Sequence, residues 1–259
     1  MAANVAHDNN AVNVYFVRYP SCMAAAPRQT PGGSAGSTSA GLGAAGSAGT
    51  TVRPYHHGNL RAVLLAEAEH TLRERGAQGL SLRELARAAG VSHGAPRRHF
   101  SDRQALLDAL AQEGFERLRS QLRAAAESAG SEFHARATAT ATAYVRFATR
   151  DAALLELMFA AKHGGQAQQL SEASHSAFAV MLDLIEEGQR EGALEAGDPE
   201  RVGTILFATM QGIAALVTGG MVDGRRADGL VGEAIERLLR GFAQSAVGHA
   251  GASARDAAA

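Results

Sequence analysis

Apolar residues recur at helical spacing through most of this chain, and glycines and capping residues interrupt them. Over residues 60–74, Leu60, Val63, Leu64, Ala68, Thr71 and Leu72 share one face, Asn59 stands where a cap is needed and Gly76 can stop the helix. Leu82, Leu85, Ala86 and Ala89 then follow at i, i+3, i+4 and i+7, leaving Arg83, Glu84 and Arg87 on the other side. Ser81, with Glu84 three residues on, fits a capping box, and Gly90 can take the left-handed conformation that ends a helix. Ser92 or His93 can cap a second short helix running to about Phe100, with Val91 as the apolar residue of the turn. Pro96 removes one amide donor and restricts Ala95, which moves the expected start of that second helix one residue later. The stretch 81–100 therefore predicts two short helices joined by a tight turn, a helix-turn-helix.

Beyond it, Ser101 can cap a helix that opens with Asp102 and carries Leu106, Leu107, Leu110, Phe115, Leu118 and Leu122 on one side. This helix is long enough to join the helix-turn-helix to the rest of the chain. Five more helices are predicted over 132–149, 152–159, 166–190, 199–219 and 228–245, punctuated by glycines and by Asp198-Pro199. No sheet is implied. The fold class is all-α, with a three-helix unit carrying the helix-turn-helix over 53–118 and a second helical unit over 119–245. Residues 1–52 end in a Gly, Ala and Ser tract and, like the tail 246–259, are expected to be disordered, since such compositions bury too little surface to offset their ordering entropy. Tyr15, Phe16 and Val17 form an apolar patch in that lead, and Met23 is an alternative start.

Composition agrees with packed helices: 46% of residues are hydrophobic, Ala is abundant and Trp is absent. Cys22 is the one cysteine, which excludes an intrachain disulfide and suits a reducing cytoplasm. No apolar run of about 20 residues and no cleavable leader is evident, so a soluble, unexported protein without a membrane partner is expected.

The net charge of −1 conceals an asymmetry. Residues 53–123 hold 12 arginines against 8 acids, while 124–259 hold 11 basic residues against 17 acids. A basic module on an acidic body turns that module toward phosphate. On the second short helix, Arg97, Arg98 and His99 supply cationic and hydrogen-bonding groups, Gly94 and Ala95 allow a backbone to approach DNA closely, and Phe100 is the expected buried anchor. Arg53, His56 and His57 stand where an N-terminal arm would reach DNA. The two histidines have no Cys or carboxylate at ligand spacing, so no metal site and no cofactor are predicted.

Residues 55–115, including HGNLRAVLLAEAEHTLRERGAQGLSLRELARAAGVSHGAPRRHFSDRQALLDALAQEGF, resemble the DNA-binding domain of the TetR family of bacterial regulators. The family usually carries an aromatic residue, typically Tyr, where Arg97 stands. The resemblance implies a transcriptional regulator contacting double-stranded operator DNA through Ser81, Arg83, Ser92, His93, Gly94, Ala95, Arg97, Arg98, His99 and Arg103, the last meeting phosphate at a helix N-terminus. AYVRFATRDAALLELMF, at 143–159, resembles the C-terminal domain of a subgroup named for a Trp-His-Gly motif; Met210, Gln211 and Gly212 stand where that motif would fall.

Tyr144, Phe147, Met158, Phe159, Phe178, Met181, Phe207 and Met210 are candidates to line an apolar cavity for a small-molecule effector, with His163, His175 and Gln211 as its polar groups. Gly203, Gly212, Ala215 and Gly219, with Ile235, Leu238, Leu239 and Phe242, are candidates for a homodimer surface, which would present two recognition elements about 34–36 Å apart. An enzyme finds no support: there is no phosphate-cradling glycine loop, GxSxG elbow or HExxH pair. The expected function is a ligand-responsive repressor that binds a palindromic operator as a dimer; the alternative is a helical binding protein with a degenerate DNA module.

Overall fold

A computed structural model of the chain describes residues 60–163 and 168–256, with side chains described over 60–161 and 168–242. The lead 1–52 with Tyr15, Phe16, Val17, Cys22 and Met23, the arm residues Arg53, His56 and His57, and Asn59 lie outside the described residues. Eight α-helices and three short 3-10 turns make up the described chain, with no strand among the described residues.

Helix α1 (Leu60–Arg75) buries Leu64, Leu65, Ala68 and Leu72. Val63, predicted inside, is 37% exposed, and Leu65 takes its place. The sequence pattern allowed either stripe; contact with α2 (Leu82–Ala88), α3 (Arg103–Ser128) and α5 (Ala152–His163) selects the one centred on Leu64 and Ala68. Gly76 ends α1 with a φ of +69°.

Helix α2 buries Leu85 and Ala86, with Ala89 just beyond it. Ser81 is its N-cap by backbone, accepting from the Leu85 amide at 3.0 Å, but its hydroxyl makes no capping bond, so the predicted capping box is not formed. The end is a glycine stop: Gly90 has a φ of +67°, and the amide of Val91 returns to the Ala86 carbonyl at 2.9 Å.

The predicted second helix is shorter than expected. Only one 3-10 turn, Pro96–Arg98, forms, and neither Ser92 nor His93 caps a helix. Ala95 is in the αR region, with its amide on the Ser92 carbonyl at 2.9 Å, but Pro96 has no N–H to continue the ladder. The Phe100 amide then closes the turn on the Pro96 carbonyl at 2.9 Å.

Helix α3 is the spine. Its cap is Asp102 and not Ser101: the Asp102 carboxylate accepts the Ala105 amide at 2.8 Å, a bond that holds its pKa below the ordinary value. Leu106, Leu107, Leu110, Phe115, Leu118 and Leu122 are all buried, as their spacing predicts. The body is α4 (Phe133–Arg150), α5, α6 (Gln168–Arg190), α7 (Pro199–Thr218) and α8 (Ala227–Asp256). Helices α4, α5 and α6 pack on α3, and α7 and α8 pack on α4. One buried cluster runs from Leu64 to Leu239, so α3 serves both halves. Helix α8 continues past residue 245, where the tail was expected to begin; the Ala-rich segment contains no proline to stop it.

Helix α7 also departs from expectation, being long and apolar enough to cross a membrane by length and composition, with a mean hydropathy of 1.3. Its inner side is a core face, burying Gly203, Leu206, Met210, Ile213 and Ala214. Its outer side carries Ile205 and Leu216, both exposed.

Candidate nucleic-acid interface and effector cavity

The α2 turn and the 3-10 segment after it present one set of groups outward and another inward. Arg83, Arg87, Ser92, His93, Gly94, Arg97, Arg98 and His99 are exposed, Ser81 and Ala95 half-buried, and Pro96 and Phe100 buried. Phe100 is 3% exposed, inside the cluster formed with Leu64, Leu85 and Leu106, and the Arg61 guanidinium lies 5.7 Å over its ring. The anchor thus fixes which way the short segment faces, so that Arg97 and Arg98 project away from the core.

Electrostatic pairing separates these arginines from most others. No carboxylate lies within ion-pair distance of Arg83, Arg87, Arg97 or Arg98 among the described residues. On α8, by contrast, Arg237 and Arg240 are closed on Glu233 and Glu236. Four exposed, unneutralised guanidinium groups on one small unit suit phosphate and guanine contact, because no internal ion pair has to be broken first. At Gly94 an added Cβ would meet no atom within 4 Å, so the backbone there is open to a partner.

Arg103 is placed differently from the expectation. Its Nε donates to the Leu80 carbonyl at 3.0 Å and its Nη2 to the Ala77 carbonyl at 2.5 Å. The side chain therefore ties the start of α3 to the turn before α2, adding a second bond to the Ala77 carbonyl, which already accepts the Leu80 amide at 3.2 Å. The sequence carries no signal for this bond, because it depends on the loop between α1 and α2 folding back toward α3.

A second cluster, also unforeseen, joins the DNA-binding half to the body. Glu69 of α1 accepts both Nη atoms of Arg117 on α3, at 2.9 and 2.6 Å, and is paired with Arg73. Arg73 also reaches the buried Asp151 at the α4–α5 junction, at 3.4 Å, and Asp151 accepts Arg150 Nε at 3.0 Å. The Arg117 bonds hold the Glu69 carboxyl below its usual pKa and raise that of Arg117.

Within the body, α3, α4, α6, α7 and α8 enclose a cavity of about 50 Å³. Of the candidates, Tyr144, Phe178, Met181, Phe207 and Met210 line it, alongside Leu118 and Leu122 of α3, Phe133, Ile185, Leu206, Ile235 and Leu239. The aliphatic members could not be separated from core by their sequence pattern. Phe147 is fully buried away from the cavity, Met158 packs where a side chain at Gly114 would sit, and Phe159 stacks edge-on to Phe207 with ring centroids 6.2 Å apart. The polar expectation is corrected. His175 is exposed, its Nδ1 2.8 Å from the Ser171 carbonyl, because position 175 falls on the outer face of α6. Gln211 lies behind the wall, accepting the Tyr144 hydroxyl at 2.6 Å. His163 ends α5, and its side chain lies outside the described residues. No group of three metal-binding side chains occurs among the described residues.

Comparison with known proteins finds two family models that match separate stretches of the chain. The sequence model of bacterial regulatory proteins of the tetR family matches residues 64–110, and that of the tetracyclin repressor-like C-terminal domain matches 137–242. A search of curated proteins finds no match. Among solved structures, a protein with unknown function from Rhodococcus sp. RHA1 is 50% identical, aligned over 74% of this chain and 99% of its own, with a TM-score of 0.69. A bacterial regulatory protein in the tetR family from Rhodococcus RHA1 is similar at 19% identity, over 71% of this chain and 96% of its own, with a TM-score of 0.59. The TetR family transcriptional regulator PfmR from Thermus thermophilus aligns at 17% identity over 68% of this chain and 97% of its own, with a TM-score of 0.56. With a glycine-stopped helix-turn-helix and a helical body matching the two sequence models of one family, the chain is a non-enzymatic transcriptional regulator and belongs to the TetR family.

Proposed function

We propose that the protein is a ligand-responsive repressor, acting in the cytoplasm as a homodimer on a palindromic operator and released when a small molecule enters the body. The observation that carries this reading is the position of α3: Arg103 at its start holds the turn before α2, and Leu118 and Leu122 further along form part of the cavity wall. A ligand that enlarges the cavity displaces the same rod that fixes the helix-turn-helix. Of the candidate contacts, Arg83, Ser92, His93, Gly94, Arg97, Arg98 and His99 reach DNA directly. Ser81 and Ala95 shape the turn, and Arg103 acts through the loop it braces.

Dimerisation is supported by the outer face of α7. Ile205, Ala208, Gly212 and Leu216 follow helical spacing and are exposed, an apolar stripe that a second copy would cover. The expected dimer residues divide accordingly. Gly212, Gly219 and Leu238 remain at least partly accessible, whereas Gly203 packs inside on Leu182 and Ile185, and Ile235 and Leu239 belong to the core.

The alternative, a helical binding protein with a degenerate DNA module, has one observation in its favour, the reduction of the second helix to the turn Pro96–Arg98. Mobility shift on the DNA flanking the protein's own coding region, with light scattering on the free protein, separates the two. A shift at low salt by a dimer supports the repressor, and a monomer with no shift supports the alternative.

A further inference from the structure

The cavity wall specifies more than a place for an effector. None of its lining residues is an acid, a base or an amide. Its two hydroxyls are already committed as donors, Thr140 to the Arg136 carbonyl at 2.8 Å and Tyr144 to Gln211 at 2.6 Å. Arg136 and Glu187, on the helices that contribute Thr140 and Leu184, are closed on each other at 2.5 Å. A carboxylate or ammonium entering this space would lose its hydration without gaining a counter-charge, and transfer of an unpaired charge from water to an apolar interior is prohibitive. The surrounding body is also acidic, which adds repulsion against an anion.

The size of the space sets a second requirement. About 50 Å³ accommodates a few waters, whereas ligand sites are typically about 300–1,000 Å³. Phe178, Met181 and Phe207 are half-buried while also lining the cavity, so they connect it with the surface between α6 and α7. The Phe178 and Phe207 rings meet edge to face across those two helices at 5.3 Å. Methionine is unbranched and adapts its shape readily, so this corner is the part of the wall able to open.

We infer that the effector is an uncharged, predominantly apolar molecule, admitted between α6 and α7 past Phe178, Met181 and Phe207, and that carboxylates and ammonium compounds of equal chain length are excluded. This rests on the effector reading of the cavity proposed above, and its test requires no DNA. The full-length protein is loaded with Nile red, and displacement is measured with decan-1-ol, decanoate and decylammonium. Decan-1-ol is expected to displace the dye at a concentration at least tenfold below either ion. Equal or tighter binding of an ion, or no displacement by the alcohol at its solubility limit, overturns the inference.

Two fillings of the wall, Ala177→Leu and Ala141→Leu, are tested beside it, each checked for a cooperative thermal transition. Loss of alcohol binding in a folded filled variant is expected, and parent-like binding in both places the ligand elsewhere and overturns the assignment. Loss of operator binding in the mobility shift would fail the repressor reading alone and leave these results standing.

Discussion

The Glu69 carboxylate on α1 receives the Arg117 guanidinium of α3 in a two-pronged bond, with Nη1 to Oε1 at 2.9 Å and Nη2 to Oε2 at 2.6 Å. Glu69 is only 13% exposed and also meets Arg73, so it sits among cations where α1 passes the body. Bidentate, charge-assisted pairing of this kind is stronger than a surface ion pair and fixes orientation. Glu69→Gln is expected to cost about 2 kcal/mol, read as a lowered denaturation midpoint at neutral pH.

The same pair predicts an acid limb. Arg117 holds the folded-state pKa of Glu69 below its ordinary 4.5. A carboxyl depressed on folding contributes stability that is complete above the unfolded pKa and is lost as pH falls through the folded one. The loss should therefore begin near pH 4.5 and continue below it. Glu69→Gln should flatten that part of the stability profile, and an unchanged acid limb would assign it to other carboxylates such as Asp102, also depressed.

Phe100 carries the orientation of the basic segment, being 3% exposed at the end of a turn that has little helix of its own. Phe100→Ala is expected to cost about 3–5 kcal/mol, the range for a large aromatic removed from a core. Local loss of structure should appear as faster hydrogen exchange in α2 and its turn. Normal exchange and melting would show that Leu64, Leu85 and Leu106 hold the segment without the ring.

These residues show which parts of the molecule could be read from the chain. The α2 face, the Gly90 stop and the α3 stripe were legible because each depends on spacing within one helix or on a glycine at its end, whereas the side-chain caps expected at Ser81, Ser92 or His93, and Ser101 did not form. Arg103, Glu69 and Arg117 were not, since their partners lie on other elements and only the packing of α1 on α3 brings them together. The cavity was legible only in part: Tyr144, Phe178, Met181, Phe207 and Met210 line it, but Phe147, Met158 and Phe159 do not, and Phe133 and the aliphatic wall, where Leu118 and Ile235 look like any core residue, gave no separate signal. His175 failed as a cavity group because its helical phase, set by the neighbours of α6, turns it outward.

Gly188 of α6 links packing to the cavity. A Cβ added there would fall 2.6 Å from Cζ of Phe133, a rigid ring that also lines the cavity. Gly188→Ala should therefore cost about 1–3 kcal/mol as overpacking and drive the ring toward the empty space. Nile red binding should fall with it. A variant that melts normally and binds dye like the parent would mean that α4 and α6 separate without strain.

Arg97 and Arg98 test the interface with little involvement of the fold, as both are exposed and neither has an acidic partner within ion-pair distance. Each substitution to Ala should leave stability within about 0.5 kcal/mol of the parent's. If the side chain contacts phosphate, its loss should reduce the slope of log affinity against log salt by about 1. An unchanged slope would remove that side chain from phosphate contact. Gly94→Ala separates approach from charge at the same place. Its Cβ would meet nothing within 4 Å, so the protein tolerates it, and any loss of affinity reports a DNA backbone lying against residue 94. Full affinity in Gly94→Ala together with a reduced slope in Arg97→Ala would mean that the guanidinium reaches DNA across a gap.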